Sequence, residues 1–400
     1  TLMKLFQRLL VAPAALGLFS PLAANATEVN LNDISNYSDV ESIDFTNSFD
    51  NDKSTKSPLL AGGEGLVDSH DGGFSQTTTA SFSTDFAIGY LDGKGISTIA
   101  GTDGDEDVQA VYSFQIDLNT SFTGEDSLDI SLDAGNGPFD ANGSTSPLAE
   151  FDPNNTGDTL TVDGVAYTFP IGSVTAIVGD NTDGSALFTT ACVYGGPSNT
   201  LDDCGNVNAG ITNGGAMAGA SYDWGNGLTA AIGYAGSEQS LMTKEGNDAY
   251  GANVAYLGDN YGLSVTYGSI EQGVNGINQN VYTALNGYYS FDNGLSISAG
   301  YEVGDLDNEV AASDETEAYF IGINGEVGPG ELGAAIGTYG VMTESAGVLP
   351  ERMMYEAYYA YPVNDGMTIT PLIYSKEGGA VGEAGDADET GIMVKTSFSF

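Results

Sequence analysis

Carboxylates are the chemistry this chain offers most freely. It holds 55 Asp and Glu against nine Lys and Arg and one His, a formal net charge of −46 at pH 7. In the stretch DGDED, Asp103, Asp105 and Asp107 have the every-second-residue spacing of a calcium loop. An EF-hand needs Gly at the sixth position and Glu at the twelfth; Val108 stands where the Gly should be, and no Glu follows. A solvated acidic loop is the simpler reading, with calcium as its alternative. Cys192 and Cys204 are the only cysteines. In an exported chain they are expected to pair, two free thiols being the alternative. No metal centre or cofactor is expected, because no Cys-x-x-Cys occurs and His70 stands alone. That His precedes the patterned part of the chain, so a Ser-His hydrolase lacks a base, and no phosphate loop is present. The expectation is a protein that is not an enzyme. Nucleic acid is excluded as a partner, since phosphate binding needs clustered bases.

The elements that must position these groups are strands. LTAAIGY puts Leu228, Ala230, Ile232 and Tyr234 on one parity; YGLSVTYG and LSISAGY repeat the pattern. Successive strand side chains point to opposite faces, so each segment has one apolar and one polar face. Turn signals such as WGNGL, LGDNYG, FDNGL and VNDGM separate paired runs. Sixteen strands follow, near 80–90, 107–118, 126–134, 160–169, 172–179, 214–224, 227–236, 247–257, 260–269, 280–291, 294–302, 316–327, 331–340, 352–362, 366–375 and 389–400.

Their connections alternate strictly between long and short. An even strand number with all short turns at one end is the topology of an all-β, transmembrane, antiparallel up-and-down β-barrel, with short periplasmic turns and long acidic outer loops. The long connections hold 26 acids against Lys94, Lys244 and Lys376. Phe169, Trp224, Tyr261, Phe291, Tyr361 and Phe398 fall near the short-turn ends. Tyr90, Tyr234, Tyr267, Tyr301, Tyr339 and Tyr374 fall near the other ends, as two interfacial girdles require. A secreted β-sandwich would also alternate, but it does not explain two aromatic ends. GIMVKTSFSF reads as the closing strand, with Phe398 and Phe400 as a terminal signal for barrel assembly.

Within strands the acids mostly take the polar parity. Asp85, Asp117, Asp129, Asp133, Asp223, Glu326 and Glu356 are thus the pore-lining acidic candidates, and Arg352 and Lys395 the basic ones. Rings of Asp or Glu favour cations, so a mild cation preference is expected. Solubilising acids that set no selectivity are the alternative. The longest connection, 180–213, contains both cysteines. It is expected either to fold into the lumen as a stapled constriction or to remain an ordinary external loop.

The start reads as an address. From Met3, Lys4 and Arg8 precede the apolar run Leu9–Phe19 and the small-x-small site Ala24-Asn25-Ala26. Residues 1–26 are therefore expected to be a cleaved signal peptide, too short in its apolar run to span a bilayer. Residues 27–79 read as a flexible acidic lead-in and 80–400 as the barrel domain.

Three stretches carry a resemblance: the leader MKLFQRLLVAPAALGLFSPLAANATEVNLNDIS, then GGEGLVDSHDGGFSQTTTASFSTDFAIG, then NTSFTGEDSLDISLDAGNGPF. They resemble the cyanobacterial outer-membrane porins grouped with OprB-like carbohydrate porins and iron-uptake porins. The resemblance implies an integral outer-membrane channel for ions and small hydrophilic solutes, contacting lipid and assembling as a homotrimer. That family usually carries a surface-layer-homology domain between leader and barrel. Asn36 to Gly73 is too short for it, so peptidoglycan anchoring is not expected. A substrate-selective carbohydrate channel would need lumenal aromatic residues, for which Tyr288, Phe320 and Tyr358 are candidates. A non-conducting structural or adhesive barrel is the remaining rival.

Overall fold

The structure is a computed structural model that describes residues 78–92, 108–137, 148–212, 215–243, 246–272, 278–307, 315–338, 342–343, 352–377 and 388–400. Asp103, Asp105, Asp107, His70 and Tyr339 lie outside them. Seventeen strand segments run β1 (Thr78–Asp92), β2 (Gln109–Thr120), β3 (Ser127–Gly135), β4 (Thr161–Ile171), β5 (Val174–Asp180), β6 (Ala216–Asp223), β7 (Leu228–Gly236), β8 (Asp248–Leu257) and β9 (Tyr261–Gln272). They continue with β10 (Asn278–Ser290), β11 (Leu295–Asp305), β12 (Glu315–Val327), β13 (Gly330–Thr338), β14 (Met342–Thr343), β15 (Met353–Asn364), β16 (Met367–Lys376) and β17 (Glu389–Ser399). The two-residue β14 prolongs β13 along β12, so the wall has sixteen staves. Each stave pairs antiparallel with the next, and β17 pairs with β1 from Ser83↔Ser399 to Asp92↔Thr390. The sheet is a closed, sixteen-stranded antiparallel β-barrel. All sixteen expected strands are present; the first begins two residues early, at Thr78.

Closure answers the backbone's need for partners. In a bilayer core no water is available to bond an unpaired N–H or C=O, and a closed ladder leaves no edge. Short turns make the tight reversals possible. Between β10 and β11, Phe291 N donates to Leu295 O at 2.8 Å while Gly294 takes φ +82°, a conformation that side chains resist.

The apolar parity faces outward. Ile232 is 63% exposed, Leu263 55%, Leu285 54% and Ile321 55%. Such a continuous apolar exterior belongs against lipid, since water would penalise it. Rings cluster at the short-turn rim, where Tyr222–Trp224, Tyr256–Tyr261, Tyr289–Phe291 and Tyr167–Phe169 pair at centroid distances of 4.8, 5.6, 4.8 and 5.2 Å. Near the long-connection ends Tyr234 pairs with Tyr250 at 5.4 Å. One expected girdle member is corrected: Tyr374 points into the barrel and is buried, 3% exposed. Leu372, Ile373 and Tyr374 are apolar on both parities, so the sequence pattern does not reveal that Ile373 is the lipid-facing residue.

The closing strand has the face that its pattern implies. Ile392, Val394 and Phe398 share the outward parity, while Met393 is 1% exposed inside. Phe400 stacks on Phe82 at 5.6 Å, and Phe398 meets Phe86 edge-on at 6.2 Å.

Candidate functional site: the lumen and its inward loop

The interior is built from two connections that fold inward rather than away from the barrel. The longer one lies against the lumenal face of the later strands in two legs. Along the first leg, Thr189 N donates to Asn253 Oδ1 at 3.0 Å, Ala191 N to Ser264 Oγ at 2.8 Å and Val193 N to Ser298 Oγ at 3.1 Å. Asn324 Nδ2 returns a bond to Val193 O at 3.2 Å. Ser264, Ser298 and Asn324 each sit three residues from a short-turn end, so this leg reaches within roughly 10 Å of that rim along the strands.

Tyr194 then anchors the leg. Its hydroxyl donates to Glu356 Oε1 at 2.6 Å, and its ring packs on Phe320 and Tyr358 at 5.2 and 5.8 Å. Burial first, then the Glu356 carboxylate, hold the phenol well above its usual range, so it stays a donor. On the second leg Asn286 Nδ2 donates to Cys204 O at 2.8 Å. Glu302, 1% exposed, accepts from Asn208 N and Ala209 N at 2.8 Å each and from Asn208 Nδ2 at 2.9 Å. A disulfide joins the legs at Cys192–Cys204, with Cα atoms 6.5 Å apart.

The shorter inward connection includes the 3-10 turn Ala149–Phe151. Glu150 and Lys376, both buried, form an ion pair, and Glu150 also accepts from Thr200 N at 3.3 Å and Thr200 Oγ1 at 3.2 Å. One carboxylate thus ties both inward connections to β16. Asn154 N reaches Ser113 Oγ of β2 at 2.8 Å. The expectation of an external loop between β3 and β4 is therefore corrected for the described residues 148–155.

The strand acids separate into two groups. Asp85, Asp117, Asp129 and Asp133 take the inward parity of β1–β3 and are only half-buried. Gln115 Nε2 and Ser131 Oγ each reach Asp117 Oδ1 at 2.8 Å, and Thr161 Oγ1 reaches Asp133 at 2.6 Å. Lys395 is inward too, with Nζ 5.6 Å from the Phe151 ring centroid. Asp223 shares that parity but accepts from Gly225 N at 2.7 Å, capping a turn at the rim. Glu326 stands opposite Glu331 beside another turn. Arg352 lies one residue before β15, at its long-connection end.

Glu356 is the correction among these candidates. It is on the lumenal face, yet only 5% exposed, because the loop covers it. It is a tether for Tyr194, not an open pore wall. Phe320 and Tyr358 are covered in the same way, at 1% and 3% exposed.

Sequence reasoning missed Glu302, Glu150 and the loop acids Asp183, Asp202 and Asp203. Glu302 had a signal: in LSISAGYE it falls on the polar parity with Ser296, Ser298 and Gly300. The others lie where no periodicity exists.

The site and fold define a class, the sixteen-stranded porin-type barrel with a loop folded into its lumen. Among solved structures, three engineered mutants of the porin of Rh. blastica are similar, with TM-scores of 0.56, 0.55 and 0.54. Each is 15% identical, and the match covers 81% of this chain and 100% of that one. This likeness shows the fold. Neither a family model nor a curated sequence relative matches the chain.

Proposed function

We propose that the chain is an integral outer-membrane porin, a water-filled channel for passive diffusion of ions and small hydrophilic solutes with a preference for cations. The observation that carries this reading is the asymmetric lumen. Loop 184–212 lies along β7–β15 and narrows the interior, while the acidic wall of β1–β4 stays half-exposed. The shorter connection covers Ala87 and Val111 but leaves these carboxylates partly exposed; a full plug would have buried them as well. Export through a cleaved leader at 1–26, an acidic lead-in at 27–79, a trimeric assembly and kinship with cyanobacterial porins belong to the same proposal and rest on the sequence.

The carbohydrate-selective reading loses support from burial. Of its three aromatic candidates, Phe320 and Tyr358 lie beneath the loop, where no sugar could stack on them.

The test is single-channel current through the folded chain in a planar bilayer, with maltose-series sugars added afterwards. Steady ohmic current that sugars do not block is the expected result. Block at low sugar concentration would favour a carbohydrate channel, and no current from a folded barrel would favour a structural role.

A further inference from the structure

We infer that the connection between β7 and β8 is a lipid anchor. Its Leu241–Met242 tip inserts at the boundary between headgroups and acyl chains of the outer leaflet, an inference that rests on the membrane reading above. The connections that hold Glu150 and Tyr194 fold into the barrel. This one lies on the other side of the wall. The register Ile232↔Ala252, Tyr234↔Tyr250 and Gly236↔Asp248 carries the outward face of β7 and β8 up to their long-connection ends. Asp248 therefore has the lipid-facing parity, yet it is 1% exposed.

What hides it is the turn that follows β7. The Tyr234 hydroxyl donates to Asp248 Oδ1 at 2.5 Å. Met242 N donates to the same carboxylate oxygen at 3.2 Å and to the Tyr234 hydroxyl at 3.1 Å. Gly236 leaves room for this arrangement, since a Cβ there would run into both the Asp248 carboxylate and the Tyr234 hydroxyl. The turn is thus pinned to the outside of the barrel by a carboxylate that would otherwise face lipid without a donor, where an unpaired charge is costly.

The pinning leaves two side chains at the tip uncovered. Leu241 and Met242 are 41% and 72% exposed, while the residues that lead to them, Ser237, Glu238, Gln239 and Ser240, are polar. Met242 also takes φ +55°, a backbone region that a side chain enters only at a cost. A single exposed Leu on a protein surface needs no explanation. Here two adjacent large apolar side chains stand beside the Tyr234–Tyr250 ring pair. They continue an apolar surface that already runs up the two strands through Ile232 and Val254. Tyrosines mark the level of the membrane interface, and apolar side chains at that level leave water by entering the leaflet. A second copy of the chain is the alternative cover.

The test is the depth of a fluorescent label. Cys192 and Cys204 are joined to each other, so Met242→Cys offers the one thiol that takes a polarity-sensitive fluorophore. The labelled full chain is folded into phosphatidylcholine vesicles. Ile232→Cys marks the middle of the lipid-facing wall, and Glu125→Cys marks an exposed short turn. Lipids carrying a nitroxide should quench the label at 242, more strongly with the nitroxide near the headgroup than near the chain end. Aqueous iodide should quench it about tenfold less than the label at 125, as removal of one such side chain from water implies. Leu241→Cys should behave in the same way and serves if Met242→Cys does not fold. Iodide quenching at 241 and 242 equal to that at 125 would leave the tip in water and overturn the anchor. A label shielded from both iodide and nitroxide lipids would lie against protein, a second copy included, and would also overturn it. No nitroxide quenching at Ile232→Cys would overturn the membrane reading itself, and the anchor with it.

Discussion

Two walls of one barrel carry the same alternating pattern and have different fates. On the covered wall, β8–β13 and β15, the inward polar and glycine positions are small or bonded, as at Ser264, Thr266, Ser298, Gly300, Gly322 and Asn324, and Phe320 and Tyr358 pack beneath the loop. Two buried acids on its inward parity, Glu302 and Glu356, each accept a hydrogen bond from the loop. On the open wall, β1–β3, the inward acids Asp85, Asp117, Asp129 and Asp133 are half-buried, and the last three are bonded to neighbours on the wall itself. The difference follows from desolvation. A carboxylate can stand free where water reaches it, but beneath a loop it must find donors or be absent. Gly300 shows how close the covered contact is, since a Cβ there would run into the carbonyl of Cys204. The polar parity of a porin-like strand is thus two classes of position, divided by what the loop covers.

Substitutions on the two walls should therefore fail differently. The largest effect is expected at Lys376→Ala, which strands the buried Glu150 and removes the joint between the two inward connections. A stability loss of about 3–5 kcal/mol is expected in urea unfolding, followed through the single Trp224. Glu302→Ala comes next. It leaves Asn208 and Ala209 N–H groups buried without an acceptor, and a loss of about 2–3 kcal/mol is expected, with faster proteolytic cleavage inside 198–212. Asp129→Asn on the open wall should lie within about 0.5 kcal/mol of wild type in the same unfolding assay. If Asp129→Asn proved as damaging as Glu302→Ala, the division into covered and open walls would not hold.

The barrel was legible in the sequence because alternation is a strong, repeated signal, and turn chemistry marked nearly every reversal. Even β4 and β5, at TVDGVAYTFPI and VTAIVGD, keep enough alternation to be placed. The parity of Asp85, Asp117, Asp129 and Asp133 was readable for the same reason. What alternation cannot report is depth. Glu356 and Asp133 look alike in sequence; only the loop makes one a tether and the other open wall. The inward connections were harder still, since Glu150 and Asp203 sit in segments of no period and their partners lie 226 residues away in one case. Tyr374 shows the opposite failure, where apolar residues on both parities removed the signal.

The inward loop also sets an order on the molecule's assembly. Every strand side chain that hydrogen-bonds its two legs, from Asn253 to Glu356, comes later in the chain than the loop. The disulfide, in contrast, spans only 12 positions. Cross-linking of the legs can therefore precede docking, and a sheet that ends before β8 lacks the hydrogen-bonding side chains that seat them. Seating of the legs is complete only when β15 supplies Glu356.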